Sequence, residues 1–169
     1  MDVKELLKRQ GNGENFEFYL FWGGFCSQWI PSPFKIDGIR YAMCEQYMMA
    51  EKARTFRDEG ALSEIMASTD PRANKATGRK VKDFNFETCD EVKFDIVVKA
   101  NMAKFSQNED LLKLLLRTGT EVIVEASPFD KIWGIGLGES DPLAKSPHTW
   151  DGENLLGFAL MDVRDVLAG

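Results

Sequence analysis

Long apolar runs, cysteine pairs, histidine and excess positive charge are what this 169-residue chain has least of. It contains no stretch of about 18 consecutive apolar residues, the length a membrane-spanning helix requires. Its opening MDVKELLKRQGNGE is charged and lacks the apolar segment of a secretory leader. The expectation is an untargeted, cytoplasmic protein with no membrane partner. Cysteine is confined to Cys26, Cys44 and Cys89, far apart and odd in number, which suits neither a disulfide framework nor a C-x-x-C metal site. These read as thiols in a reducing compartment. His148 is the single histidine, which removes histidine triads and histidine-based zinc centres. No other ligand cluster stands out, so neither metal nor cofactor is expected, and acid–base chemistry falls to Asp, Glu, Lys or Tyr. The net charge of −6 argues against broad attraction to DNA or RNA, which rests on Lys and Arg neutralising phosphates. A local basic patch is compatible with that balance.

What is present suffices for one core. At 44% hydrophobic content the length favours a single domain. The first ten residues read as a short helix broken by GNGE, and the aromatic FEFYLFW as a strand. In FKIDGIRY, Asp37-Gly38 supplies a positive-φ turn between two short extended runs, the signature of a hairpin. CEQYMMAEKARTF and DEGALSEIMAS have helical composition, and Asp70 followed by Pro71 marks the cap and first turn of another helix. Val92, Ile96, Ala100 and Ala103 recur at helical spacing as one buried face. NEDLLKLLLRTG reads as an amphipathic helix stopped by Gly119, EVIVEA as a strand, and NLLGFALMDVRDVL as a closing helix with Leu156, Leu160, Val163 and Leu167 on one side. The fold class is α+β: a predominantly helical single domain around a small β-sheet.

Three stretches carry residues with chemical potential. EASPFDKIWGIG holds Asp130 and Trp133 ahead of closely spaced glycines. A dinucleotide fingerprint needs a strand directly before its glycines and a helix directly after. Here SPFDKIW intervenes and ESDPLAKSP follows, so that reading fails. Two readings stay open: an acid beside an aromatic plate facing a ligand, or an Asp-capped turn with a core tryptophan. In CEQYMMAEKA, Glu45 and Lys52 are seven residues apart, so on a helix they share a face about 10 Å apart along the axis. They either bracket a ligand or are a dipole-favoured first-turn acid and a solvated lysine. Arg72, Lys75, Arg79, Lys80 and Lys82 form a run free of acids, either a phosphate-contacting surface or a solvated helix face.

Taken in order, PSPFKIDGIRY, CEQYMMAEKA, GRKVKDF, ANMAKFSQN, LLRTG, VEASPFDKIWGIG and NLLGFALMDVR resemble the NADAR superfamily, the YbiA-like N-glycosidases, from about residue 21 to residue 168. The resemblance implies an N-glycosidase domain over residues 16–169 behind an N-terminal extension of residues 1–15. It also implies hydrolysis of the bond between a ribose C1 and a nucleobase nitrogen. Carried over by position, the family's active-site glutamate falls on Glu45, its late aspartate on Asp130 in D-x-x-W-G, and a tryptophan ahead of A-K-F on Cys89. That last departure removes a stacking face worth about 1 to 3 kcal/mol. The family's S-N-F reads Ser27-Gln28-Trp29, which makes Trp29 a candidate aromatic wall. The implied catalytic set is Glu45, Asp130 and Lys52, with Ser27, Trp29, Arg79, Cys89, Trp133 and Gly134 around the substrate. Lys52 is either an electrostatic partner or an amine that captures the opened sugar as a Schiff base. The expected substrate is ADP-ribosylated guanine, in nucleic acid or as a nucleotide. The alternatives are an aminopyrimidine ribotide of riboflavin synthesis, or a non-catalytic module that binds ADP-ribose.

Overall fold

The computed structural model describes residues 1–169. The chain forms seven α-helices and four short strands, five of the helices consecutive, and the backbone groups into two compact units. Residues 28–112 form one unit; residues 1–27 and 113–169 form the other. No helix is long and apolar enough to cross a membrane.

The 28–112 unit opens with a hairpin of β2 (Phe34–Ile36) and β3 (Ile39–Tyr41), paired antiparallel with Ile36 opposite Ile39. Asp37 and Gly38 take φ of 53° and 80°, the left-handed turn that the Asp-Gly pair favours. Helix α2 (Cys44–Thr55) follows, then α3 (Glu59–Ala67), α4 (Pro71–Gly78) and α5 (Phe86–Gln107). Three of these starts are capped by side chains: Asp58 accepts from Ala61 N–H, Asp70 from Arg72 N–H, and Asn85 from Thr88 N–H. Asp58 also accepts from the Lys82 N–H at 3.0 Å, which ties the segment beyond α4 to the start of α3. The core gathers Phe34, Tyr41, Tyr47, Ala50, Ile65 and Ala100, with Tyr41 and Tyr47 edge to face at 4.9 Å.

The face of α5 matches the sequence expectation in part. Val92 and Ile96 are only half-buried, whereas Val97, Ala100, Asn101 and Lys104 are buried. Ala100 and Ala103 are buried as expected and Ile96 packs against the same core, so the inward stripe is wider than expected because Val97, Asn101 and Lys104 also belong to it.

In the other unit α1 (Val3–Gly11) buries Leu6, and β1 (Phe18–Phe21) pairs in parallel with β4 (Val122–Glu125), Phe18 opposite Val122. Helix α6 (Glu109–Leu116) leads into this unit, and Gly119 follows it at φ 53°. The β content is therefore two separate two-stranded sheets, one local and one joining distant segments. Helix α7 (Leu155–Ala168) packs on β4, with Leu156, Phe158, Leu160 and Val163 buried and Leu167 only half-buried. Asn154, in the left-handed conformation before α7, accepts from Glu125 N–H at 2.9 Å and donates to the Ile123 carbonyl at 3.0 Å. Its amide thus stands in for a neighbouring strand along β4.

Candidate active site

Helix α2 starts without a side-chain cap: its N-cap, Met43, makes no such hydrogen bond. Its exposed N–H groups are met in other ways. The Glu45 N–H donates to the Gln28 carbonyl at 3.0 Å. Gln46 accepts from the Ala42 N–H at 2.7 Å and donates to the Ser68 carbonyl at 2.9 Å, which locks this turn to the end of α3. The result is a carboxylate held deep in the unit, for Glu45 is 2% exposed.

Around it lies a polar cluster that apolar patterning does not reveal. Gln28 and Asn101 exchange amide hydrogen bonds of 3.1 and 3.2 Å, and Asn101 also donates to the Val97 carbonyl at 2.8 Å. The Cys44 thiol donates to Asn101 Oδ1 at 3.8 Å. Burial pushes that thiol up to about 12; Lys104 draws it down and Glu45 pushes it further up, so both charges stand close to the same sulfur. Lys104 is fully buried, with its Nζ 4.9 Å from the ring centre of Phe105. Glu45 and Lys104, both buried and both acting on one thiol, form a polar centre shielded from water, where fields act at low dielectric.

Two turns along α2, Lys52 is part-buried rather than solvated. Its Nζ lies 4.2 Å from the centre of the Phe84 ring. Burial lowers its pKa, Cys89 opposes that shift, and Arg79 adds to it. Arg79 and Cys89 are therefore near enough to act on the charge of Lys52. Lys75 stands one turn before Arg79 on α4, with its Nζ 5.7 Å from the centre of the Trp29 ring. Lys75 over Trp29 and Lys52 over Phe84, with Arg79 near Lys52, form a belt of three cations and two aromatic faces.

The other four candidates belong to the second unit. Ser27 closes the 3-10 turn Gly24–Cys26, its N–H donating to the Gly24 carbonyl at 3.1 Å. Asp130 Oδ1 accepts from the N–H groups of Ile132 and Trp133 at 3.0 and 2.8 Å, the Asp-capped turn of the second sequence reading. The turn so formed aims carbonyls at α7: Ile132 and Trp133 accept from the N–H groups of Leu155 and Leu156 at 3.2 and 3.1 Å. Gly134 is required by packing, because a Cβ there would sit 2.8 Å from the Glu125 carbonyl oxygen and 3.0 Å from that of Asp130. Part-buried Trp133 lies in the same turn.

The sequence profile of the NADAR domain matches residues 18–168. The chain belongs to the NADAR family. A relative named N-glycosidase R617, from Acanthamoeba polyphaga mimivirus, is 47% identical over 82% of this chain and 85% of its own length. The Caenorhabditis elegans protein irg-1 is 34% identical over 89% of this chain and 79% of its own. N-glycosidase YbiA from Escherichia coli K12 is 33% identical over 87% and 82%. The NMR structure of E. coli YbiA superposes with a TM-score of 0.75 at 30% identity, covering 92% of this chain and 87% of that one. This NADAR chain therefore shares the YbiA fold, α1 lying ahead of the matched segment.

Helical spacing singles out Glu45 and Lys52 as candidates on this NADAR scaffold but not three neighbours. Lys104 and Asn101 lie within the quoted ANMAKFSQN, and the available signal was their place on the inward face of α5, one turn apart. Phe84, 46% exposed, gave no signal beyond an aromatic in a polar loop.

Proposed function

We propose that this protein hydrolyses the N-glycosidic bond joining ADP-ribose to a guanine base, free or in nucleic acid. The broader class follows from kinship: curated relatives are named N-glycosidases, and the chain is a hydrolase acting on N-glycosidic bonds. The observation that carries the ADP-ribose reading is the belt of Trp29, Lys75, Arg79, Lys52 and Phe84. ADP-ribose brings two phosphates and a second base; an aminopyrimidine ribotide brings one phosphate and one ring. Three cations and two aromatic faces match the larger ligand.

In this mechanism the C1–N bond breaks with its electron pair going to the base nitrogen, leaving an oxocarbenium-like C1. Glu45, buried away from bulk water, stabilises that charge or takes the proton of the attacking water. Water supplies hydroxyl to C1, and its proton ends on the departing base. Asp130 is the second candidate carboxylate, acting through the oxygen that does not cap its turn. Lys52 steadies the phosphates or, as a free amine, captures the opened sugar.

The test is to incubate the protein separately with an oligonucleotide carrying ADP-ribosylated guanine and with the aminopyrimidine ribotide, and to follow products by mass spectrometry beside Glu45→Gln. The expected result is ADP-ribose release from the first substrate, slowed at least about 100-fold in Glu45→Gln. Turnover of the ribotide alone would overturn the proposal. Tight ADP-ribose binding without turnover of either substrate would make the protein a binding module.

A further inference from the structure

We propose that the Gln28–Asn101 amide pair is a positioning device for the glycosidase centre, fixing the first turn of α2, and with it Glu45, against α5 at Lys104. The inference rests on the assignment of Glu45 to the chemistry.

Asn101 has no solvent exposure and Gln28 only 8%. Each amide both donates to and accepts from the other, and Asn101 reaches the Val97 carbonyl and the Cys44 thiol as well. Two apolar side chains of similar shape would fill the same volume without any need for matched partners. What the amides add is direction, because reciprocal bonds hold only in one relative placement of the two segments.

That placement matters at both ends. The Gln28 carbonyl receives the Glu45 N–H, so the segment fixed by the pair is the one that caps the residue of interest. On α5, Asn101 stands one turn before Lys104. The titratable group against the pair is Cys44, on which Glu45 from α2 and Lys104 from α5 both act, and Gln28 adds none. A neutral pair therefore sets the spacing of Glu45 and Lys104 without adding a charge of its own.

Three variants separate positioning from bulk stability. In Gln28→Leu/Asn101→Leu both buried polar groups are removed together, so the melting temperature should stay near that of the parent. Turnover number should nevertheless fall about tenfold with KM little changed, since loss of alignment costs rate rather than binding. In Asn101→Asp a carboxylate replaces the amide against Cys44, the residue before Glu45, and like-charge repulsion should move the acidic limb of kcat/KM up by about one pH unit. Gln28→Glu puts the same charge on the other side of the pair and serves if Asn101→Asp does not fold. The proposal is overturned if the double leucine variant keeps parental kcat, or if a folded acidic variant leaves the limb unmoved. Full activity in Glu45→Gln would instead remove the assignment on which the proposal rests, whatever the amide variants do.

Discussion

At the scale of single residues, two lysines have different environments. Lys104 is fully buried and shares its surroundings with Glu45 and Cys44; Lys52 is part-buried over Phe84, near Cys89 and Arg79. Spacing alone brings out Lys52, because seven residues from Glu45 is a helical relation that can be counted. Lys104 escapes because lysines are assigned to water by default, and its burial depends on contacts made by other elements. Covalent chemistry at Lys52 has a checkable consequence. Burial depresses its pKa, so at any pH below the ordinary 10.5 a larger share of this amine is neutral than of a solvated lysine. Borohydride added during turnover should trap a sugar adduct whose yield rises with pH over the range below that value. Mass spectrometry should place the adduct on Lys52, and Lys52→Arg, which keeps the charge but lacks the amine, should abolish it. An adduct that survives in Lys52→Arg would transfer the role to another amine; no adduct in the parent would leave Lys52 an electrostatic part only.

At the scale of elements, the local signals were readable and the distant ones were not. Asp70-Pro71 and the Asp37-Gly38 turn are written in side chains that act within a few residues of themselves, and both form as expected. On α5 an apolar template finds Ala100 and Ala103 but cannot count Asn101 and Lys104 as interior. The parallel pairing of Phe18 with Val122 joins segments about a hundred residues apart, and nothing in either short run specifies the other. The WGIG stretch drew attention for its glycines, yet its main structural service is backbone carbonyls that cap α7, a role that side-chain spelling hardly records. Two glycines show how closely these elements dock. A Cβ on Gly157 would lie 2.1 Å from the Ile123 carbonyl oxygen, with the Asn154 amide at 2.5 Å. A Cβ on Gly78 would meet Met49 Sδ at 2.1 Å, the flexible end of a side chain. Gly157→Ala should therefore cost about 3 kcal/mol, by pushing α7 off β4. Gly78→Ala should cost under about 1.5 kcal/mol, because Met49 can turn aside and alanine recovers helix propensity. Urea unfolding at constant m-value measures both; equal losses would mean that Met49 is as immovable as backbone.

At the scale of the whole molecule, charge is unevenly placed. The chain carries a net −6, yet residues 72 to 82 contain Arg72, Lys75, Arg79, Lys80 and Lys82 and no acid. All five lie in the 28–112 unit, where Lys75 and Arg79 belong to the aromatic belt and Arg72, Lys80 and Lys82 are exposed. An acidic protein repels a polynucleotide in general, so productive contact with a strand must come through this surface and must depend on salt. If about three strand phosphates are neutralised there, kcat/KM for an ADP-ribosylated oligonucleotide should fall roughly twentyfold between 50 and 200 mM salt, following the slope of about 0.7 per single-strand contact. An ADP-ribosylated guanine nucleotide, which lacks flanking phosphates, should show a shallower dependence. Lys80→Ala/Lys82→Ala should flatten the slope for the oligonucleotide and leave the nucleotide nearly unaffected, because these two side chains lie outside the belt assigned to ADP-ribose. Equal slopes for the two substrates, unchanged in the double variant, would mean that the outer cations are a solvated helix face and that the enzyme meets its modified base without holding the strand around it.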